Sequence, residues 1–477
     1  MSDPHATVSV ALAYRQAPGI LRKIALFAFI GALGGLLFGL DQGFINGSLP
    51  LIKAQMGLST DQAAFFSGVL AWAAAVGALI AGWVARVLGR KQTILFAAMA
   101  FAACTLVGAT AHSYEVLLAS RVLLGVAVGT AAFVVPLYLS EISPTHLRGG
   151  IIALYQLMIT IGIFLVFVSN ATISGASGDH PDSWRLMLGV ISVPAIVMLL
   201  LGLTLPRSPR WLMLKGKQSA ARAVLTKIRA SDQEIDGEVA EIEANLRDDR
   251  GQGFALFRHG FFWKVLLLGI ALQALQQFSG INSVIYYSTE IFDDAGVSNA
   301  AVATIIVGLV NMLTTLLAVF FVDRWGRKPI LYLGLVLMTI MLAGVGAAFQ
   351  YEQAGGTLSQ TGEVLLVAAV LVYVFAFAIS LGPVVWIICA EIFPLAGREI
   401  GISITTIANW VFAASVVQGS EIVLHTLGGS VMFYFFSFCC FLGIGLVFFF
   451  TPETGQVSLE DMEQRLRAGE RLKRLGS

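Results

Sequence analysis

Asp41 is a carboxylate set in apolar sequence, LLFGLDQGFINGSLP from Leu36 to Pro50. An ionisable group at membrane depth costs at least about 2.5 kcal/mol on insertion scales, so it argues for function unless it snorkels to water from a helix end. Glycines recur around it (Gly31, Gly34, Gly35, Gly39, Gly43, Gly47), a composition that allows close helix contact and local unwinding. The other strongly intramembrane charge is Arg121, in SRVLLGVAVG. Arginine stays protonated, so in an Asp–Arg pair the carboxylate is the group that titrates. Burial and a neighbouring guanidinium pull a carboxylate's proton affinity in opposite directions. Asp41 is therefore expected to hold Arg121 when ionised and let go when protonated. The alternative is a static structural pair.

A second set of residues suits binding rather than titration. QALQQFSGINSVIYY, Gln273 to Tyr287, is the richest supply of uncharged polar groups in the apolar sequence. Each amide offers a donor and an acceptor, which a hydroxyl-rich ligand needs, and aromatic faces pack on C–H surfaces. Gln276, Gln277 and Asn282 form the cluster, with Tyr286 and Tyr287 following. Gly280 stands where the helix can break, as discontinuous helices do at such sites. Phe38 and Trp410 are candidate aromatic walls. A lone amide often only glues two helices together; three in one segment argue for a ligand. The absence of fixed charge among them argues against amino acid, carboxylate or cationic drug substrates.

The elements that must position these residues follow from composition. The 477 residues are 57% hydrophobic and 12% charged, against about 45–50% and 25% in soluble domains, so the chain reads as a membrane protein. A net charge of +1 gives no sign of nucleic acid. Cys104, Cys389, Cys439 and Cys440 sit in apolar runs without metal spacing and read as core thiols. The first twenty residues lack the pattern of a cleaved signal, so the first span is expected to insert uncleaved. Apolar runs long enough to cross a bilayer as helix recur twelve times: 24–50, 64–86, 92–111, 117–140, 150–173, 186–205, 264–288, 300–322, 330–350, 364–389, 400–424 and 430–450.

One polar interruption, rich in Lys, Arg, Glu and Asp, divides the spans six and six. Within it Lys217–Ile228 and Asp236–Leu246 have helical character. The expected organisation is an N-terminal segment (1–23), a six-helix bundle (24–205), a helical linker (206–260), a second six-helix bundle (261–451) and a tail (452–477). Placing both termini and the linker in the cytoplasm leaves Lys53 and Arg185 as the outer basic residues, with Arg121 inside a span; this is the positive-inside pattern. The halves repeat: Gly82–Lys91 (GWVARVLGRK) is answered by Val322–Lys328 (VDRWGRK), Leu139–Gly149 (LSEISPTHLRG) by Cys389–Arg398 (CAEIFPLAGR), and Leu205–Leu212 (LPRSPRWL) in part by Thr451–Gly455 (TPETG). Duplicated motifs at matching loops imply two bundles around a central midplane site.

Together these motifs resemble the sugar porter family of the major facilitator superfamily, from about Arg22 to about Glu463, and most of all its proton-coupled bacterial hexose and pentose transporters. The resemblance implies an all-α membrane protein of twelve helices that moves a monosaccharide by alternating access, with a proton as coupling ion. It assigns Asp41 and Arg121 to proton coupling; the family's passive facilitators lack the acid. It assigns Gln276, Gln277 and Asn282, with Gln156, Asn311, Trp386 and Asn409, to the sugar, and Tyr286 and Tyr287 to an aromatic gate. Xylose transporters carry a glutamine at the place of Asn409. Arg86, Arg90, Lys91, Glu141 and Arg148 of the first half are implied to face Asp323, Arg324, Arg327, Lys328, Glu391 and Arg398 of the second, latching the cytoplasmic side when the outside is open. Arg207 departs from the family's usual glutamate and removes one acidic partner from that network. Pro383 and Pro394 flank the tenth span as candidate hinges.

Other functions find less support. No His–Glu metal pattern, nucleophile elbow or phosphate loop is present, so neither enzyme activity nor a metal or cofactor is expected. A passive facilitator shares the cavity but not the acid, and a sugar sensor usually adds a longer tail than the one after Pro452. The expected partners are a monosaccharide, a proton and the bilayer of a bacterial inner membrane, with the protein as a monomer.

Overall fold

The computed structural model describes residues 18–177, 180–248, 256–394, 397–454, 459–468 and 470–475. The side chains of Thr145, residues 245–248, residues 319–324, residues 459–461 and Arg474 also lie outside the description. Every regular element among the described residues is helical, and twelve spans are long and apolar enough to cross a membrane. In lipid a spanning backbone must satisfy its own hydrogen bonds, which a helix does.

The first six spans are α1 (Pro18–Met56), α2 (Thr60–Val87), α3 (Arg90–Ala109), α4 (Tyr114–Ile142), α5 (Arg148–Ser177) and α6 (Ser183–Gly202). Helix α1 outruns its expected 24–50 at both ends and stays helical through Pro50. The glycines around Asp41 do not unwind it. Gly35, Gly39, Gly43 and Gly47, spaced at i,i+4, form one stripe pressed against α5. A Cβ at Gly39 would fall on the Ile159 carbonyl, so glycine here is required by close approach.

The linker holds α7 (Pro209–Leu214), α8 (Gln218–Ile228) and α9 (Asp232–Asp248). Helix α7 adds to the two expected: Ser208 caps it, accepting from the Trp211 amide at 3.0 Å, and Pro209 pre-sets its first turn. Helix α8 buries Ala221, Leu225 and Ile228 on one face. Arg229, just past its end and 3% exposed, donates to the Ile142 carbonyl at 3.0 Å and is clamped by Glu238. A cation on the last carbonyls of α4 suits the helix dipole and docks the linker on the first bundle.

The second six spans behave differently. The seventh is broken into α10 (Gly260–Phe278) and α11 (Ile281–Asp294) at Gly280, where φ is 89° and a Cβ would meet the Phe436 ring. Next come α12 (Ala300–Trp325) and α13 (Arg327–Gln353). The tenth span is broken into α14 (Gln360–Ile379) and α15 (Leu381–Ile392), with α16 (Arg398–Thr426), α17 (Gly429–Phe449) and the tail helix α18 (Leu459–Arg467) after it. The tenth span breaks at Ser380 rather than at Pro383. Pro383 sits in the first turn of α15, where its missing N–H costs no helical bond, and Pro394 lies just past the helix end. Cys104, Cys389 and Cys440 are buried and Cys439 half-buried, all unbridged.

Within the first bundle α1 packs on α5 and α2 on α4; within the second, α13 packs on α17. The two bundles meet where α2 faces α16, α5 faces α12 and α1 faces α11. Six spans return the chain to the side it left, so the start of α1, the linker and the tail share one end, called here the linker end; the opposite is the far end.

Candidate functional site

Asp41 on α1 and Arg121 on α4 are both fully buried, and Arg121 Nη1 donates to Asp41 Oδ1. The guanidinium also lies 5.6 Å from the ring centres of Phe44 and Phe66, which flank it with aromatic faces. The pair is only partly satisfied: Asp41 Oδ2 and Arg121 Nε and Nη2 have no partner among the described residues. A buried ion pair kept for stability alone needs its remaining donors and lone pairs met. Oδ2 is thus an acceptor position where a proton can be added without breaking an existing bond.

The expected amides come together in the second bundle and bond to one another. Gln42, the residue after Asp41, donates from Nε2 to Asn282 Oδ1 at 3.3 Å. Asn282 Nδ2 donates to Gln277 Oε1 at 2.6 Å, and Gln277 Nε2 to Asn409 Oδ1 at 3.1 Å. Asn409 Nδ2 then donates to Gln273 Oε1 at 2.6 Å and Gln276 Oε1 at 2.7 Å. Gln276 Nε2 ends the chain on the Leu381 carbonyl at 2.8 Å, at the α14–α15 break. An unbroken series of hydrogen bonds therefore runs from the residue beside Asp41, through both sides of the Gly280 break, to the broken tenth span.

The aromatic residues divide. Phe38 and Trp410 meet across the bundles with ring centroids 5.2 Å apart. Tyr286 and Tyr287 are buried on α11, and Tyr287 donates to the Val417 carbonyl of α16 at 3.0 Å. Three of the expected positions stand apart from the amide chain. Asn311 is buried on α12, Gln156 is half-buried on α5, and Trp386 on α15 is 36% exposed.

Two pairs of the expected latch residues form within their own bundles here. Arg90 grips Glu141 through Nε and Nη2 at 2.9–3.1 Å, and Arg327 Nη2 meets Glu391 at 3.2 Å. Arg86 is exposed, its carbonyl accepting from Trp211 Nε1 at 3.0 Å, and Arg148 is exposed as well. Arg398 is half-buried at the start of α16. The side chains of Asp323 and Arg324 lie outside the described residues. Lys91 Nζ donates to the Leu203 carbonyl at 2.7 Å, and the Arg207 guanidinium stacks 5.5 Å from the Trp211 ring.

Cross-bundle bonds concentrate from the middle to the far end, on residues that sequence reasoning missed. Asn46 Nδ2 donates to Ser288 Oγ at 2.8 Å, and Thr289 Oγ1 donates to Asn46 Oδ1 at 2.6 Å. Trp72 Nε1 donates to Gln418 Oε1 at 3.1 Å. Lys53, at the end of α1, pairs with Glu421 of α16 at 2.9 Å, and Glu421 is fully buried. Glu421 is a third intramembrane charge. The argument that singles out Asp41 applies to it, but its place near the end of a span reads as snorkelling. Gln42 and Asn46 lie within the same quoted stretch as Asp41 and are polar at membrane depth, which is the signal that could have found them.

Two packed helical bundles, one holding a buried Asp–Arg pair and the other a set of linked amides beside broken spans, have the build of a secondary transporter. The chain belongs to the sugar (and other) transporter family, whose model matches residues 27–466. It is 40% identical to the galactose-proton symporter of Escherichia coli (strain K12) over 455 residues, covering 94% of this chain and 96% of that one. It is 38% identical to the arabinose-proton symporter of the same strain, covering 95% and 96%. Among solved structures it is similar to the inward open conformation of the xylose transporter XylE from E. coli, with TM-score 0.79, 30% identity and coverage of 92% of this chain and 99% of that one.

Proposed function

We propose that the protein takes up a monosaccharide, a hexose such as galactose or glucose or a pentose, together with a proton across the bacterial inner membrane. The observation that carries this reading is the buried Asp41–Arg121 pair with its open Oδ2, one residue from the amide chain. The amides Gln276, Gln277, Asn282 and Asn409 bind the sugar hydroxyls, with Gln156, Asn311 and Trp386 joining as the bundles close on it, and Phe38 and Trp410 pack on its C–H face. Sugar that recruits Asn282 and Gln277 must exchange their present bonds for bonds to its hydroxyls. The Gln42 link passes that rearrangement to the helix turn that carries Asp41. Protonation of Oδ2 neutralises Asp41 and weakens its hold on Arg121, freeing α1 and α4 to shift.

The basic residues at the linker end support a cytoplasmic orientation for that end. The far-end contacts then make this geometry the state closed to the outside. When the carrier turns outward, Arg86, Arg90, Glu141 and Arg148 meet Asp323, Arg324, Arg327, Glu391 and Arg398. Such pairs are worth about 0–1 kcal/mol each when exposed, and a two-state equilibrium moves on a few kcal/mol. One charge moved through 100 mV supplies about 2.3 kcal/mol, enough to concentrate the sugar roughly fifty-fold. The relatives named above, symporters of galactose and arabinose with protons, support the same chemistry. The test is uptake of labelled galactose, glucose, arabinose and xylose by proteoliposomes with and without an imposed proton gradient. Accumulation of at least one above equilibrium only with the gradient is expected; equilibration that ignores the gradient would make the protein a passive facilitator.

A further inference from the structure

Four ionisable side chains meet at the far end of the bundle interface. Lys53 ends α1, Glu290 lies on α11, and Glu421 and His425 stand four residues apart on α16. Lys53 Nζ is 2.9 Å from Glu421 Oε1 and 3.0 Å from His425 Nε2. His425 Nε2 is in turn 3.2 Å from Glu290 Oε1 and 3.2 Å from Glu421 Oε1. Glu290, Glu421 and His425 all belong to the second bundle and bring one donor atom each within 4.8 Å of one another. The cation among them comes from the first bundle.

Two features point to a bound cation rather than a surface charge cluster. Glu421 is fully buried, yet its Oε2 has no partner among the described residues. The Lys53 ammonium already occupies the space between carboxylate and imidazole. We infer that Glu290, Glu421 and His425 form a cation seat, filled by the Lys53 ammonium while the far end is closed and open to a divalent transition metal, Zn2+ above all, when the bundles part. Carboxylate with imidazole suits zinc and its neighbours, whereas magnesium and calcium take oxygen donors alone. Donors about 2.1 Å from a tetrahedral zinc stand about 3.4 Å apart, close to the two 3.2 Å spacings measured from His425 Nε2. The half-exposed faces of Glu290 and His425 (20% and 28%) give the metal a path from far-end water. No spacing rule finds the site in the sequence, because Glu290 joins the α16 pair only through the fold.

Metal and ammonium claim the same carboxylate oxygen and repel each other. A zinc-loaded seat therefore keeps Lys53 out, holds the far end open, and stops uptake. Displacement of Lys53 in the wild type rests on the alternating-access reading above; binding in Lys53→Met, which lacks the ammonium, does not. Zinc chloride titrated into the purified full chain tests binding, and zinc added outside proteoliposomes tests uptake. Binding of one zinc per chain and inhibition that magnesium does not reproduce are expected. His425→Ala and Glu290→Gln, both partly exposed and so tolerable to the fold, are expected to weaken binding and inhibition at least about tenfold. Lys53→Met removes the competing ammonium and is expected to bind zinc more tightly than the wild type. Lys53→Met protein that binds no zinc, or variants at His425 and Glu290 with unchanged affinity, would overturn the seat. Zinc that binds at full stoichiometry while the wild type goes on accumulating sugar would overturn the displacement and leave the proton-coupling reading untouched.

Discussion

The two bundles descend from the same motifs yet treat their polar residues in opposite ways. The first bundle keeps the helix of Asp41 whole, through seven glycines and Pro50, and lets α5 press against it. The second breaks two of its spans, at Gly280 and Ser380, and groups its amides beside the breaks. A titrating carboxylate works through a change of charge, and its surroundings must hold still for that change to matter. Sugar binding needs many neutral donors and acceptors, and broken helices offer backbone groups, such as the Leu381 carbonyl that takes Gln276. Under the proposed function, the whole helices serve the driving ion and the broken ones the substrate.

The sharpest way to break that assignment is a pair of variants with opposite losses. Asp41→Asn keeps the shape of the side chain and removes its titration. It is expected to abolish accumulation against a sugar gradient and sugar-evoked proton uptake, while sugar binding survives. Measured by uptake under an imposed proton gradient, an Asp41→Asn carrier that still accumulates sugar would move the proton site elsewhere. Asn282→Ala or Gln277→Ala is expected to do the reverse. Leaving a buried amide partner unmet costs about 1–3 kcal/mol, so sugar affinity falls about 5- to 150-fold. Titration calorimetry that finds wild-type affinity in both would reduce these amides to packing residues.

A smaller effect probes the join between the halves. Gln42→Leu removes the 3.3 Å bond to Asn282 and spares both Asp41 and the amide cluster. One hydrogen bond is worth about 0.5–1.5 kcal/mol net, so the steady accumulation ratio is expected to drop about 2- to 12-fold. Sugar-evoked proton uptake, read with a pH dye, reports it directly. An unchanged ratio would mean that coupling passes through some other contact between α1 and α11.

Much of this architecture is readable in the sequence, for reasons that differ by element. The spans are, because crossing a bilayer demands about 20 apolar residues whatever the partners. The Gly280 break is legible only in part: glycine permits a positive φ there, but Gly43 and Gly47 lie in a similarly polar stretch and serve close packing instead. The Ser380 break is hidden, since serine carries no such mark and the nearby Pro383 draws attention to a position where proline is harmless. Pairings across the bundles are hidden too. Lys53 and Glu421 each look like a charge near the end of a span, and only the packed fold makes them one contact. The amides are legible as a group, but not the order in which they bond.

The smallest prediction turns on the one motif in which the halves fail to match. In the second bundle Glu453 accepts from the backbone amides of Arg327 and Lys328, both at 2.9 Å, and so caps the first turn of α13. Gly89–Lys91 repeats Gly326–Lys328, and Pro206–Ser208 takes the place of Pro452–Thr454, so Arg207 stands where Glu453 stands. A cation cannot accept those bonds, and among the described residues no side chain takes the place of Glu453 at the Arg90 and Lys91 amides that open α3. An anion at a helix N-terminus is worth about 0.3–1 kcal/mol when exposed. Arg207→Glu is therefore expected to stabilise the first bundle by that amount, read as a small rise in the melting temperature of the purified carrier. Glu453→Arg, which discards two formed hydrogen bonds, is expected to lower it by more. If Arg207→Glu melts earlier than the wild type, the stacking of Arg207 on Trp211 outweighs the missing cap, and the two halves begin their third and ninth spans by different means for a reason of packing rather than charge.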